Sequence, residues 1–188
     1  MSQIKNSFQN LKTGDSLLFL WAILTYAKAM EYSKTKLVSL ILLRWLIGWH
    51  FFYEGMVKVI DSGWSSKMYL IDSGGFAKPF FDWIAGNETI LNLTDLFNMW
   101  ALTLIGFLLL AGFRVRTASI GGMFLLALYF ISHPPFPGIE YIFPSDGSYF
   151  LVNKTLIELA ALWVLFAFPT AHIFGLERIL KKSFNRGK

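Results

Sequence analysis

The 188-residue chain has no cysteine, which excludes disulfide staples, CxxC redox pairs, thiolate metal sites and cysteine persulfide chemistry from this polypeptide. Charge is also scarce, at 15% of residues against roughly 25% in an average soluble domain. No glycine-rich strand–turn–helix fingerprint occurs, so flavin and nicotinamide binding are not expected. Internal repeats and low-complexity tracts are lacking too. Of the three histidines, His50 falls within the first apolar span, His133 at the end of the third and His172 at the end of the fourth. No two share a depth, so bis-histidine haem within one chain is not expected. A metal site of His50 with Glu54 has no dense ligand cluster behind it, and no metal is expected.

What the chain does have is apolar surface. It is 55% hydrophobic and 18% aromatic, and its mean hydropathy of +0.50 points away from a soluble enzyme or a disordered tail. A bilayer core of about 30 Å needs roughly 20 mostly apolar residues in a helix. Four stretches qualify: about Leu37 to Ile60, Leu96 to Phe113, Thr117 to Ser132, and Leu151 to Phe168. The expected fold is an all-α integral membrane protein, a four-transmembrane-helix bundle over residues 37–172. A shorter apolar run, Leu17 to Leu24, lies between Asp15 and Lys28 and reads as an interfacial helix within an N-terminal segment of residues 1–36. A cleaved signal peptide is the competing reading, opposed by the leading Asp15 and the missing small-residue cleavage motif. Residues 173–188 read as a basic cytoplasmic tail.

The basic residues carry an address. Lys5, Lys12, Lys28, Lys34 and Lys36 precede the first span, Arg114 and Arg116 sit between the second and third, and Arg178, Lys181, Lys182, Arg186 and Lys188 follow the fourth. The two opposite loops hold only Lys67 and Lys78. This bias places both termini in the cytoplasm, and makes the net charge of +5 a topology signal rather than a nucleic-acid footprint. Gly112 followed by Arg114-Val115-Arg116 predicts a left-handed cap and an antiparallel hairpin of spans two and three. Pro134, Pro135 and Pro137 end the third helix. The long outer loop, with Trp64, Tyr69, Phe76, Phe80, Phe81 and Trp83, predicts short helices at headgroup level or capping the bundle.

Ionisable groups inside spans are costly and mark candidate sites. His50, Glu54 and Lys58 follow at four-residue steps on one face of the first span, and Lys154 and Glu158 share a face of the fourth, beside Asn153. Span one rises outward and span four starts outside, so Glu54, Lys58, Lys154 and Glu158 are expected at similar depth, and His133 reaches that level too. One reading has Lys58 and Lys154 extending to headgroups while each glutamate pairs with its neighbour one turn away. The other is an outer-leaflet pocket that binds an anion or a quinone head group and moves protons. On that reading Glu54, Glu158 and His133 are the proton-transfer candidates, and Lys58, Lys154, Asn153, Arg44 and His50 the binding candidates. Arg44 lies near the inner end of span one, where inner-leaflet phosphate or neighbouring carbonyls are its simplest partners. Gly48 and Gly55 form a small-residue stripe for close helix packing. Trp45, Trp49 and Phe52 read as packing or lipid-facing residues.

The stretch from Leu43 to Lys58, with its arginine, two glycines and lysine, resembles the first-helix signature of the DoxX/DoxD family. Asn98 to Gly106, Gly112 to Ser119, and Asn153 to Glu158 followed by Gly175-Leu176 are similar to later stretches of that family. The long aromatic loop looks more like the DoxD branch, and the likeness covers roughly residues 37 to 180. The resemblance implies a bacterial or archaeal cytoplasmic-membrane protein similar to a subunit of thiosulfate:quinone oxidoreductase. There, two thiosulfates are joined to tetrathionate and the electrons pass to membrane quinone. Lipid, quinone and possible association with a second oxidoreductase subunit are the implied partners. Without cysteine, the sulfur must be oxidised with no covalent protein intermediate here, or on that subunit. The alternatives are a non-catalytic membrane anchor for a partner complex and a small-anion carrier.

Overall fold

A computed structural model of the chain describes residues 33–142 and 150–186, the side chains of 184–186 excepted. The expected interfacial helix at Leu17 to Leu24 lies outside the described residues. Those described are all helical: α1 (Lys34–Ile60), α2 (Lys67–Ile71), a 3-10 turn (Gly75–Ala77), α3 (Lys78–Gly86), α4 (Glu88–Ala111), α5 (Val115–Ser132), α6 (Lys154–Ala167) and α7 (Leu176–Arg186).

Three helices, α1, α4 and α5, are long and apolar enough to cross a membrane. The fourth expected stretch is different. Asn153 accepts the Leu156 N–H at 2.9 Å and starts α6 at Lys154, and the helix ends before Phe168-Pro169. Its 14 residues amount to about 21 Å of helix, short of a full span. The second stretch, by contrast, begins earlier than its apolar run. Asn87 caps α4 by accepting the Ile90 N–H at 3.2 Å, and a first turn carrying Glu88 precedes the greasy part.

The hairpin of α4 and α5 is closed by backbone chemistry. Gly112 is left-handed (φ 65°, ψ 46°), Phe113 N donates to Leu108 O at 3.0 Å and Gly112 N to Leu109 O at 3.2 Å. This double bond pattern satisfies carbonyls that the helix end would otherwise orphan. Arg114 is left-handed as well (φ 46°), and the chain reverses within three residues.

Ile47 and Phe51 of α1, Leu102, Ile105 and Leu109 of α4, Leu125 and Leu126 of α5, and Leu162 and Leu165 of α6 share one buried core. α1 and α4 cross at backbone contact. A Cβ on Gly106 would lie 2.2 Å from Phe52 N, and one on Gly55 2.4 Å from Thr103 N. The expected Gly48–Gly55 stripe is thus completed by Gly106 from the facing helix. The outer faces are apolar: Leu46, Trp49, Leu96, Trp100, Leu104, Phe107, Ile120 and Phe124 are all exposed, a surface compatible with lipid. Trp45 is exposed too and tilts against Phe174 at 6.1 Å.

The segment between α1 and α4 folds into α2, the 3-10 turn and α3 over a second small core of Leu70, Phe81, Ile84, Ala85 and Leu91. Gly74 N donates to Ser132 O at 2.8 Å, tying this cap to the end of α5. At the opposite end, residues 169–177 fold back onto the hairpin turn, with Glu177 N 3.3 Å from Gly112 O. Residues 173–177 therefore belong to the bundle rather than to a separate tail, and α7 follows directly.

Candidate functional site

At the Ile60 end of α1, a cavity of about 490 Å³ opens between α1, α2, α4, α5 and α6. Its floor is Phe51, Leu102 and Leu126; its walls and rim are polar. Helical period places His50, Glu54 and Lys58 one turn apart on the wall formed by α1, and Lys154 and Glu158 likewise on that of α6. The structure brings these five sequence-derived residues to one cavity.

Their pairing is only partly the one expected from neighbours on a helix. Lys58 Nζ donates to Glu54 Oε2 at 3.0 Å, the i, i+4 pair. Glu158 instead pairs across helices, its Oε1 accepting from His50 Nδ1 at 2.8 Å. The Glu158 side chain is 13% exposed and that of His50 47%, so the imidazole is the more accessible member of the pair and the carboxylate the nearly buried one. Lys58 Nζ also lies 5.5 Å from the centre of the Trp64 ring, a cation–π contact that anchors the loop at the rim.

Three sequence candidates lie elsewhere. Asn153 does not line the cavity, because its side chain is used as the α6 cap. Arg44 sits several turns away, 1% exposed, with Nη1 donating to Thr170 Oγ1 at 2.8 Å and to Phe174 O at 2.9 Å. It binds the returning segment, not a ligand at the cavity, because a buried guanidinium must be satisfied by groups packed against it. His133 is outside the cavity too. Its ring stacks on Tyr69 (centroids 4.1 Å apart, 29°) and meets Tyr141 at 4.8 Å. Nδ1 is 3.0 Å from Ser132 Oγ, and Nε2 is 3.8 Å from Asp72 Oδ2, ion-pair rather than hydrogen-bond distance.

Burial lowers the pKa of His133 from the ordinary histidine value, outweighing the nearby Asp72 charge that raises it. Burial raises Tyr69 and Tyr141, keeping both phenols protonated. Asp72 itself accepts the Ile142 N–H at 2.8 Å.

Other lining groups were not among the site candidates of the sequence reading. Asn98 of α4 donates Nδ2 to Tyr129 OH at 2.6 Å, while its buried Oδ1 has no partner among the described residues. Tyr69 and Ser66 complete the wall, and Ser66 is fixed by Asp95, whose Oδ1 accepts both the Ser66 N–H, at 3.0 Å, and its hydroxyl. Asp95 is 6% exposed. The available signal was Asp95 and Asn98 three residues apart, a polar strip on an otherwise greasy helix. Among the described residues, no group of three histidine, aspartate or glutamate side chains could hold a metal ion. Comparisons with family models, curated proteins and solved structures found no match.

Proposed function

We propose that the chain is a membrane subunit of a quinone-linked oxidoreductase, of the thiosulfate:quinone type that its DoxX/DoxD-like stretches suggest. In this reading it is a four-span protein of a bacterial or archaeal cytoplasmic membrane with both termini inside. α6 and the segment after it form the fourth crossing, and the cavity lies in the outer leaflet. The cationic inner loops support that orientation.

The observation that carries the functional reading is the cavity, in which an apolar floor meets a two-helix carboxylate–imidazole pair. A quinone is an amphiphile whose two oxygens take up two electrons and two protons. The floor of Phe51, Leu102 and Leu126 suits its ring, reached laterally from lipid. The phenols of Tyr69 and Tyr129 and the His50–Glu158 pair suit its oxygens, and the orphan Asn98 Oδ1 accepts a quinol hydroxyl. Lys58 and Lys154, at the same cavity, attract an anionic donor. The balanced reaction is two thiosulfates plus quinone plus two protons giving tetrathionate plus quinol. The sulfur–sulfur bond forms between the two anions, here or on an associated subunit.

The test is purified protein in proteoliposomes, assayed for bound quinone and for thiosulfate-dependent reduction of decylubiquinone. Glu158→Gln should lower turnover by on the order of 100-fold, the usual contribution of a positioned acid or base, while the protein still inserts. Full turnover in Glu158→Gln and Glu54→Gln would remove the cavity from the reaction.

A second reading, a non-catalytic anchor, is favoured by the exposed Phe76, Phe80 and Trp83 of the cap, a surface suited to a partner protein. It expects a partner to co-purify, no quinone to be bound, and the complex to be lost in Phe76→Ser/Trp83→Ser.

A further inference from the structure

We propose that α7 docks on anionic phospholipid. It lies on the membrane surface at the end of the bundle opposite the cavity, with its apolar side among acyl chains and Arg178 and Lys182 on lipid phosphates. This docking is independent of what the cavity binds.

α7 sorts its residues by side. Leu176, Ile179 and Leu180 recur at i, i+3 and i+4, with the small Ser183 at i+7, the apolar stripe a helix normally turns toward a core. Here no core covers it, and the three residues are 40%, 64% and 49% exposed. Arg178, Lys181 and Lys182 take the other side. A helix that is apolar on one side and cationic on the other suits a boundary between hydrocarbon and negative charge. The two sides meet at a groove of about 710 Å³, which brings Arg178 and Lys182, one turn apart, together with Phe174, Ile179 and Ser183. Arg178 Nη1 donates to Ile173 O at 2.9 Å, which steadies the guanidinium and leaves other N–H donors for a phosphate. Lys181 is engaged by Glu177 at 2.7 Å, whereas Lys182 has no ion pair among the described residues.

The start of this surface is fixed to the bundle. Arg44 holds Thr170 and Phe174, and Gly175 packs on the hairpin turn so closely that a Cβ there would lie 2.5 Å from Gly112 O. α7 therefore leaves the bundle from a set point beside that turn. Arg114 and Arg116 of the turn, with Arg178, Lys181 and Lys182, set five exposed cations against one acid, Glu177. That surplus favours a negative surface over a neutral one. Phe174 meets Trp45 at 6.1 Å, so the groove continues the exposed apolar face of α1. This continuity selects a lipid surface over a soluble anion or an acidic protein.

Because the chain lacks cysteine, one introduced thiol can be labelled alone. Full-length Leu180→Cys carrying the fluorophore NBD is reconstituted in phosphatidylcholine vesicles with rising phosphatidylglycerol content. Docking is read as a blue shift of NBD together with quenching by a spin-labelled lipid. It should rise with phosphatidylglycerol, fall in high salt, and weaken about 25-fold in Arg178→Gln/Lys182→Gln, about fivefold per cation. Lys182→Gln alone keeps the Arg178 bond to Ile173 and should weaken docking about fivefold. A label equally buried with and without phosphatidylglycerol, and insensitive to salt, overturns the proposal; if spin-labelled lipid fails to quench it, protein covers α7 instead. A label that stays in water at every lipid composition overturns it too. So does a blue shift in phosphatidylcholine vesicles on adding glycerol phosphate, which would make the groove a soluble-anion site. Unchanged docking in Arg178→Gln/Lys182→Gln removes these two residues as the phosphate contacts.

Discussion

Gly106→Ala tests the packing on which the cavity depends. A methyl at this position would sit 2.2 Å from Phe52 N, 2.6 Å from its Cα and 2.7 Å from its Cβ. Ordinary contact begins near 3.4 Å, so α1 and α4 must separate by about 1.2 Å or bend. Overpacking costs typically about 1–3 kcal/mol, and the upper end applies because backbone atoms of Phe52 cannot rotate aside. Alanine returns about 1 kcal/mol of helix propensity. The net loss of about 2 kcal/mol is roughly a 30-fold fall in the folding constant.

Gly121→Ala is the reference, since its methyl meets only the tip of Ile105, at 3.2 Å. With the same propensity gain and only a side-chain tip to move, it should lie between wild-type stability and about 1 kcal/mol above it. The assay is dodecyl sulfate titration of the micelle-bound protein, followed by tryptophan fluorescence. Because α1 carries His50, Gly106→Ala should also loosen the 2.8 Å contact with Glu158. A Gly106→Ala midpoint at or above wild type, with Gly121→Ala no lower than wild type, would refute the backbone crossing.

Three further outcomes follow from the geometry. Arg44→Met leaves the Thr170 hydroxyl and the Phe174 carbonyl without their donor; the expected cost is about 1–3 kcal/mol, seen as faster chymotrypsin cleavage near Phe174. Asp95→Leu removes the acceptor that fixes Ser66 at the cavity wall, and should cost a similar ~1–3 kcal/mol while making Trp64 more accessible to acrylamide. Because burial holds His133 below 6.5, acidification through that value protonates the unfolded chain before the folded one. Stability from the neutral imidazole is full above pH 6.5 and declines below it. His133→Gln should flatten thermal midpoints across that acidic range.

Much of this geometry was legible residue by residue. Repetition every four residues put His50, Glu54 and Lys58 on one helical wall, because 3.6 residues per turn leave little freedom. Gly112 announced its left-handed turn for a similar reason, since few other residues adopt that conformation without strain. Asn153 was harder to read. Polarity beside Lys154 and Glu158 suggested a binding role, yet a side chain at a helix start is claimed by the orphan N–H groups there. Asp95 escaped notice because its value lies in fixing Ser66, 29 residues away.

The sequence alone determined the three long apolar helices, where the α4–α5 hairpin turns, and which ionisable residues share a helical face. Those are local properties, set by backbone period, hydropathy and the conformational limits of single residues. Only the tertiary structure decided that Glu158 meets His50, that Arg44 holds residues 170–174, and that His133 stands behind the cavity wall rather than in it. These choices depend on how helices rotate and cross, and close glycine contacts such as Gly106 on Phe52 set that crossing through packing between distant segments.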